Sequence, residues 1–345
     1  MDRPLTHRLL DALTSRWFWR PAPVEAVAPT NEPDLPALPL DRPFTVVCWN
    51  VQFCAGRTRE FFYDGGTAVS VPTREVLETC RAIADALTAL GADVALLQEV
   101  DRGARRTGGV DELAELVAHG AWPAWASTPY YRSRYVPVPA REPLGPMSLH
   151  LVTLSRFRLA RARRHALAPM RESWLRQQFN LRRAALEVGL PIAGGGELVT
   201  VNAHLSAFSR GDGTLARQLI QCDAVAAAAA TAGHRVILAG DFNALPPGDD
   251  PSRLPDPGEY AEKTSPITPL LTRWSTPCTP AAYAADPASL RTYLPWGSDV
   301  PDRTLDWLLH GPGVVVEDYR VERRFAGLSD HLPIVAKIRL TPGRP

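Results

Sequence analysis

The stretch Val236–Asn243, VILAGDFN, decides how this chain is read. Its apolar, β-branched start has the length of a buried strand, and Gly240 lets the backbone turn where the run ends on Asp241 and Asn243. Residues i and i+2 of a strand face the same side, so the carboxylate and the amide project together at a sheet edge. Asp and Asn also shape turns by bonding their own backbone, so this stretch alone leaves a turn and a reaction site both open.

Working outward, the same ending recurs. Phe44–Trp49 stops at Asn50, Val94–Leu97 at Gln98-Glu99, and Leu198–Val201 at Asn202-Ala203-His204. Asp330-His331 stand just before LPIVAKI, and Asp306 follows Thr304-Leu305 inside a further strand. Helical spacing marks Arg74–Leu90, closed by Gly91, then Asp111–Val117, and Thr214–Ala230 after Gly211 and Gly213. Leu149–Leu154, Leu186–Leu190, Val314–Val321 and Leu332–Leu340 read as strands. Singly, Glu99, Asn50 or His204 has an ordinary structural explanation at a strand end. Asp306 is harder to explain that way, because an unpartnered buried carboxylate is costly. Carboxylates, carboxamides and two histidines, with no cysteine among them, favour a hard-oxygen metal site over zinc, and magnesium-assisted phosphoryl chemistry fits the set.

In order along the chain, WNVQ, LLQEV, VNAHLS, AGDFNALP, RTLDWLL and LSDHLPIV resemble the endonuclease/exonuclease/phosphatase superfamily. LVTLSRF, RRAALEV and Arg217-Gln218 support the match, which runs from about Phe44 to Leu340. The resemblance implies a four-layer α/β/β/α sandwich, two face-packed mixed sheets flanked by helices, with the site at one end. It implies that Glu99, Asn50 and Asp330 hold Mg²⁺, with Mn²⁺ as the alternative ion. Asp241 would orient and deprotonate the attacking water, and Asn243 would donate to a phosphate oxygen. His331, oriented by Asp306, would contact the scissile phosphate, while His204, supported by Asn202, would face the leaving group. The RRAALEV arginines stay undecided.

Composition narrows the setting. The chain has 345 residues, 45% hydrophobic and 22% charged, with a net charge of +1, so no global field draws it to a polyanion or an anionic membrane. No apolar run approaches the roughly 18 residues of a membrane span, and Met1–Arg20 is too broken by charge for a secretory signal, so a cytoplasmic monomer is expected. Five cysteines without a C-x-x-C pair argue for reduced, structural thiols.

Pro4–Arg20 has the spacing of a short amphipathic helix, and Pro21–Pro43 reads as a proline-rich linker. Residues 1–43 are therefore expected to precede a catalytic domain of residues 44–341. The insertion Gly56–Pro72, with FFYDGG, is a candidate substrate wall, and the long loop Pro246–Asp302 a wall or lid. Trp122–Tyr135 carries aromatics among prolines and arginines, which suits base stacking or a lipid headgroup as well as packing of a loop. The first reading is a nuclease-like phosphoesterase. A sphingomyelinase-like or other lipid or small-molecule phosphodiesterase is the alternative, and a non-catalytic binding module retaining the fold is the alternative from another class.

Overall fold

The computed structural model describes residues 19–341, apart from 173–176, 178–180, 208, 210, 261 and 263. The Pro4–Arg20 helix lies outside the described residues except for Trp19 and Arg20.

Thirteen strands form two sheets among the described residues. The first has the order β1 (Val24–Val27), β7 (Arg161–Ala166), β8 (Ala184–Pro191), β9 (Glu197–His204), β10 (Arg235–Asp241) and β11 (Asp306–His310). The second has the order β12 (Val314–Val321), β13 (Ile334–Leu340), β3 (Phe44–Asn50), β4 (Val94–Asp101), β6 (Gly145–Ser155), β5 (Ala124–Val136) and β2 (Thr30–Asn31). Both are mixed: β9 runs parallel to β10 and β3 parallel to β4, whereas β11 and β13 run antiparallel to their neighbours. The inner faces meet in one apolar layer that includes Val46, Leu96, Leu151, Leu186, Ile237 and Ile338.

Helices cover both outer faces. Helix α1 (Thr73–Ala89) buries Val76, Cys80, Ile83 and Leu87, one stripe at helical spacing, against Val47, Trp49 and Leu97 of the second sheet, joined by α2 (Glu112–Gly120). Helix α3 (Thr214–Thr231) buries Leu215, Leu219, Cys222 and Ala226 against Val199, Val201, Val236 and Leu238 of the first. The expected α/β/β/α sandwich is the architecture found. All five cysteines are buried and unpaired, and among the described residues no helix is long and apolar enough to cross a membrane.

Two sequence expectations need correction. Pro21–Pro43 is not a linker. Val24–Val27 pairs antiparallel with β7, Thr30–Asn31 pairs with β5, and Leu38 is fully buried and bridges to Ile192, so the segment straps both sheets. Its prolines suit an edge position, where no ladder bond is lost on the outer side. Likewise, Trp122–Tyr135 is mostly strand β5, with Trp122, Tyr130 and Tyr131 buried. These rings are core side chains and not a stacking platform.

Candidate active site

Topology carries the polar strand ends to one place. In register, Asp241 at the end of β10 lies beside His204 at the end of β9 and Asp306 at the start of β11, so three neighbouring strands set three side chains in one row. Gly240 makes that spacing possible: its φ is +149°, and a Cβ there would lie 1.9 Å from the Ala203 carbonyl oxygen. Across the gap between sheets, β3 ends on Asn50, and Glu99 stands at a register break in β4 with a left-handed φ of +58°. The break turns Glu99 out of the ladder and toward the row.

Asp241 is the hub. Its Oδ2 accepts from Asn50 Nδ2 at 3.0 Å and lies 3.3 Å from His204 Nε2 and 3.7 Å from His331 Nε2. Its Oδ1 accepts the Asn243 backbone N–H at 3.1 Å. Burial pushes the Asp241 carboxyl up to about 7, with His331 opposing and Asp306 adding to the rise. The two histidines diverge. For His331, burial is outweighed by Asp306, whose Oδ2 lies 2.7 Å from Nδ1, and by Asp241, so the imidazole is held well above its ordinary value. For His204, burial with the Arg183 and His331 charges holds the ring well below it. The neighbours thus favour the charged form of His331 and the neutral form of His204 on either side of Asp241.

The remaining side chains tie the ends of the sheets together. Asn50 Nδ2 also donates to Glu99 Oε1 at 3.3 Å, and Asn50 Oδ1 accepts the Gln52 N–H at 3.0 Å. Ser329 Oγ donates to the Asn50 carbonyl at 2.7 Å, and the Asp330 N–H donates to Gln52 Oε1 at 3.2 Å. Burial pushes Asp330 up to about 6, against His331 and with the Glu99 charge adding. Asn243, with a left-handed φ of +49°, donates through Nδ2 to the Leu205 carbonyl at 3.1 Å.

Asn202 does not join this group. It sits one step deeper on β9, where Nδ2 donates to the Leu97 and Val152 carbonyls, each at 3.0 Å, and Oδ1 accepts from Gln98 Nε2 at 2.7 Å. It clamps one sheet to the other, and its hydrogen bonds go to this role in place of the expected support of His204. The aromatic insertion does reach the site. Asp64 shares a small cavity with Asp330, Gln52, Tyr293 and Trp296, and burial pushes its carboxyl up to about 7, with Asp330 and Glu99 adding.

Other residues here went unassigned in the sequence. Tyr130 packs 5.3 Å, centroid to centroid, from the His204 ring, and the Arg183 guanidinium lies 5.4 Å from the Tyr130 centroid. Arg183 is buried with Nη1 lacking a partner, and its charge acts on the His204 ring. Its place in RRAALEV was the only available signal. Thr292 Oγ1 accepts the Leu305 and Asp306 N–H groups at 3.0 and 3.1 Å and so fixes the start of β11.

Residues 47–331 match the model of the Endonuclease/Exonuclease/phosphatase family. The chain belongs to this family. As a member of the endonuclease/exonuclease/phosphatase family it is a phosphoric ester hydrolase. Among curated proteins, none matches the sequence. Solved structures share the fold: an endonuclease/exonuclease/phosphatase from Beutenbergia cavernae DSM 12333 is 22% identical, with 88% of this chain and 72% of that one covered and a TM-score of 0.58. The human Nocturnin catalytic domain with bound sulfate is 16% identical over 89% of this chain and 97% of that one, with a TM-score of 0.56. The mannosyl-6-phosphatase from Bacteroides thetaiotaomicron VPI-5482 is 14% identical over 86% and 99%, with a TM-score of 0.53. At these identities the likeness is one of fold alone.

The donor chemistry admits a metal ion. Asp241, Asp306 and His331 each present a ligand atom within 4.8 Å of the others. In that set His331 Nδ1 is already bonded to Asp306. The oxygen donors Glu99, Asn50 and Asp330 suit a hard cation, and the burial that raises Asp330, with the Glu99 charge adding, is what such a cation would offset.

Proposed function

We propose that the protein hydrolyses a phosphoester by direct attack of water on phosphorus, in a magnesium-dependent reaction. The observation that carries the reading is Asp241 Oδ2, buried at the centre of the row and within 3.7 Å of Asn50, His204 and His331. Glu99, Asn50 and Asp330 would hold the cation, Mg²⁺ or Mn²⁺, which supplies charge neutralisation at the phosphoryl group and the leaving oxygen. Asp241 orients the water and takes its proton as the new P–O bond forms and the ester P–O bond breaks. A carboxyl held near neutrality by burial is matched to that task.

His331, kept cationic by Asp306, offers its Nε2–H to a phosphoryl oxygen, where negative charge grows in the transition state. Asn243 keeps one amide hydrogen for the same oxygens, since the Leu205 carbonyl takes only the other. His204, neutral and 3.3 Å from Asp241, is placed to hold the leaving-group side, and the unpartnered Arg183 nitrogen supplies an anion contact beyond it.

Asp241→Asn and His331→Ala should each lower turnover by at least about a hundredfold with circular dichroism unchanged. Near-wild-type rates in both purified variants would overturn the assignment.

A further inference from the structure

Beside the catalytic row, on the helix-covered side of the first sheet, a cavity of about 450 Å³ opens where the chain leaves β10. Asn243 stands on its wall, so the cavity begins at a residue whose backbone N–H is bonded to Asp241. Leu215, Leu245, Pro246, Pro266 and Tyr260 supply an apolar lining, and Asp249, Asp250 and Glu262 supply its charge. Among the described lining residues there is no lysine, arginine or histidine.

The wall is built and not slack. Asp249 is gripped by Arg253 at 2.9 and 2.6 Å and accepts from the Tyr283 hydroxyl at 2.9 Å. Glu262 accepts from Ser209 Oγ at 3.0 Å, and Asp250 caps the Ser252 N–H at 2.9 Å. The volume suits a small organic group, the lining favours an apolar one, and Asp250 and Glu262, for which the described residues supply no salt bridge, repel a second phosphate. Arg183, whose charge acts on His204, is not part of this lining.

We propose that this cavity is the subsite for the non-phosphate part of the substrate, and that it takes an uncharged, largely apolar group carried by an ester with a single phosphate. This rests on the phosphoesterase reading above and sets a polyanionic substrate aside. Tyr130 and Tyr131 of β5 are buried and offer no stack for bases.

Calorimetric titration of the Mg²⁺-loaded protein with methylphosphonate, octylphosphonate and octane-1,8-bisphosphonate tests it without turnover. Octylphosphonate should bind at least about tenfold tighter than methylphosphonate through burial of its methylenes. The bisphosphonate should lose that advantage to the carboxylates. Thr264 is an exposed lining residue; Thr264→Trp should erase the octyl preference while leaving methylphosphonate binding unchanged, and Thr264→Arg should restore the bisphosphonate. Equal binding of octyl and methyl compounds, bisphosphonate binding as tight as octylphosphonate, or an octyl preference intact in Thr264→Trp would each overturn the inference. If the octyl preference stands but neither octyl phosphate nor an octyl phosphodiester is hydrolysed, the reading of the reaction falls, and with it the cavity's role as a substrate subsite, leaving only a binding site for an apolar group.

Discussion

Two histidines a few ångströms from one carboxylate are pushed toward opposite charge states because their neighbours differ. His331 has Asp306 against Nδ1, whereas His204 has Arg183 and an unpartnered Nδ1. The row that places them depends on a residue without a side chain. Gly240→Ala would push a methyl group into the Ala203 carbonyl at a φ of +149° and force β9 from β10. We expect a loss of about 3 kcal/mol in urea unfolding, typical of severe overpacking, and a fall in turnover as the 3.3 Å spacing of His204 and Asp241 opens. An unchanged melting temperature would contradict this. The polar strand ends were legible because a side chain at the end of an apolar strand has few other places to go. Asn202 was misjudged for a physical reason: period two puts it on the same strand face as His204 but says nothing about depth, and one step deeper is between the sheets.

Among the elements, strands with regular apolar runs were read within a few residues, as with Val314–Val321 and the Thr214–Thr231 helix. Those missed share a cause. β5 turns Ala124, Ala126 and Thr128 inward, too small to signal a core face, and carries Pro129 at a register break. β7 reads as charge because Arg161 and Arg163 face outward and Arg164 is buried despite its charge, and β1 is hidden between prolines. A chain begun at Phe44 should therefore be less stable, since it uncovers β7 and removes Leu38, whose burial alone is worth roughly 1.5–3 kcal/mol. It should also aggregate through the bared edge, and an unchanged urea midpoint would restore the linker reading. The β7–β8 pair also carries an acid-sensitive contact. Burial alone would raise Glu187, but hydrogen bonds from His165, at 2.7 Å, and from Arg161 outweigh it and hold the carboxyl at about 2. A carboxyl depressed in the folded state stabilises above its unfolded value and loses that contribution as pH falls toward 2. Between about pH 6 and about pH 3, Glu187→Gln should lose less urea stability than the parent protein; equal losses would remove Glu187 from the acid response.

At the scale of the whole molecule, two sheets and their helices bring residues as distant as Asn50 and His331 to one end of a sandwich. Six motifs in one order made that architecture legible, since each marks the same end of a different strand or loop. What stayed illegible is what surrounds the centre. The loops after Gly56 and Pro246 carry no periodic pattern, and their walls exist only once Arg57 bonds the Leu294 and Pro295 carbonyls, at 2.6 and 2.7 Å, and Arg253 holds Asp249. A near-neutral net charge of +1 matches a molecule whose substrate is recognised by local chemistry and not by a long-range field. The most direct test is hydrolysis of an octyl phosphodiester by the purified protein, stripped with EDTA and then given back Mg²⁺, beside Asp241→Asn treated the same way. Activity that vanishes with EDTA, returns with Mg²⁺ and never appears in the variant is the predicted result. Hydrolysis that survives metal removal, or that Asp241→Asn retains, would contradict the account.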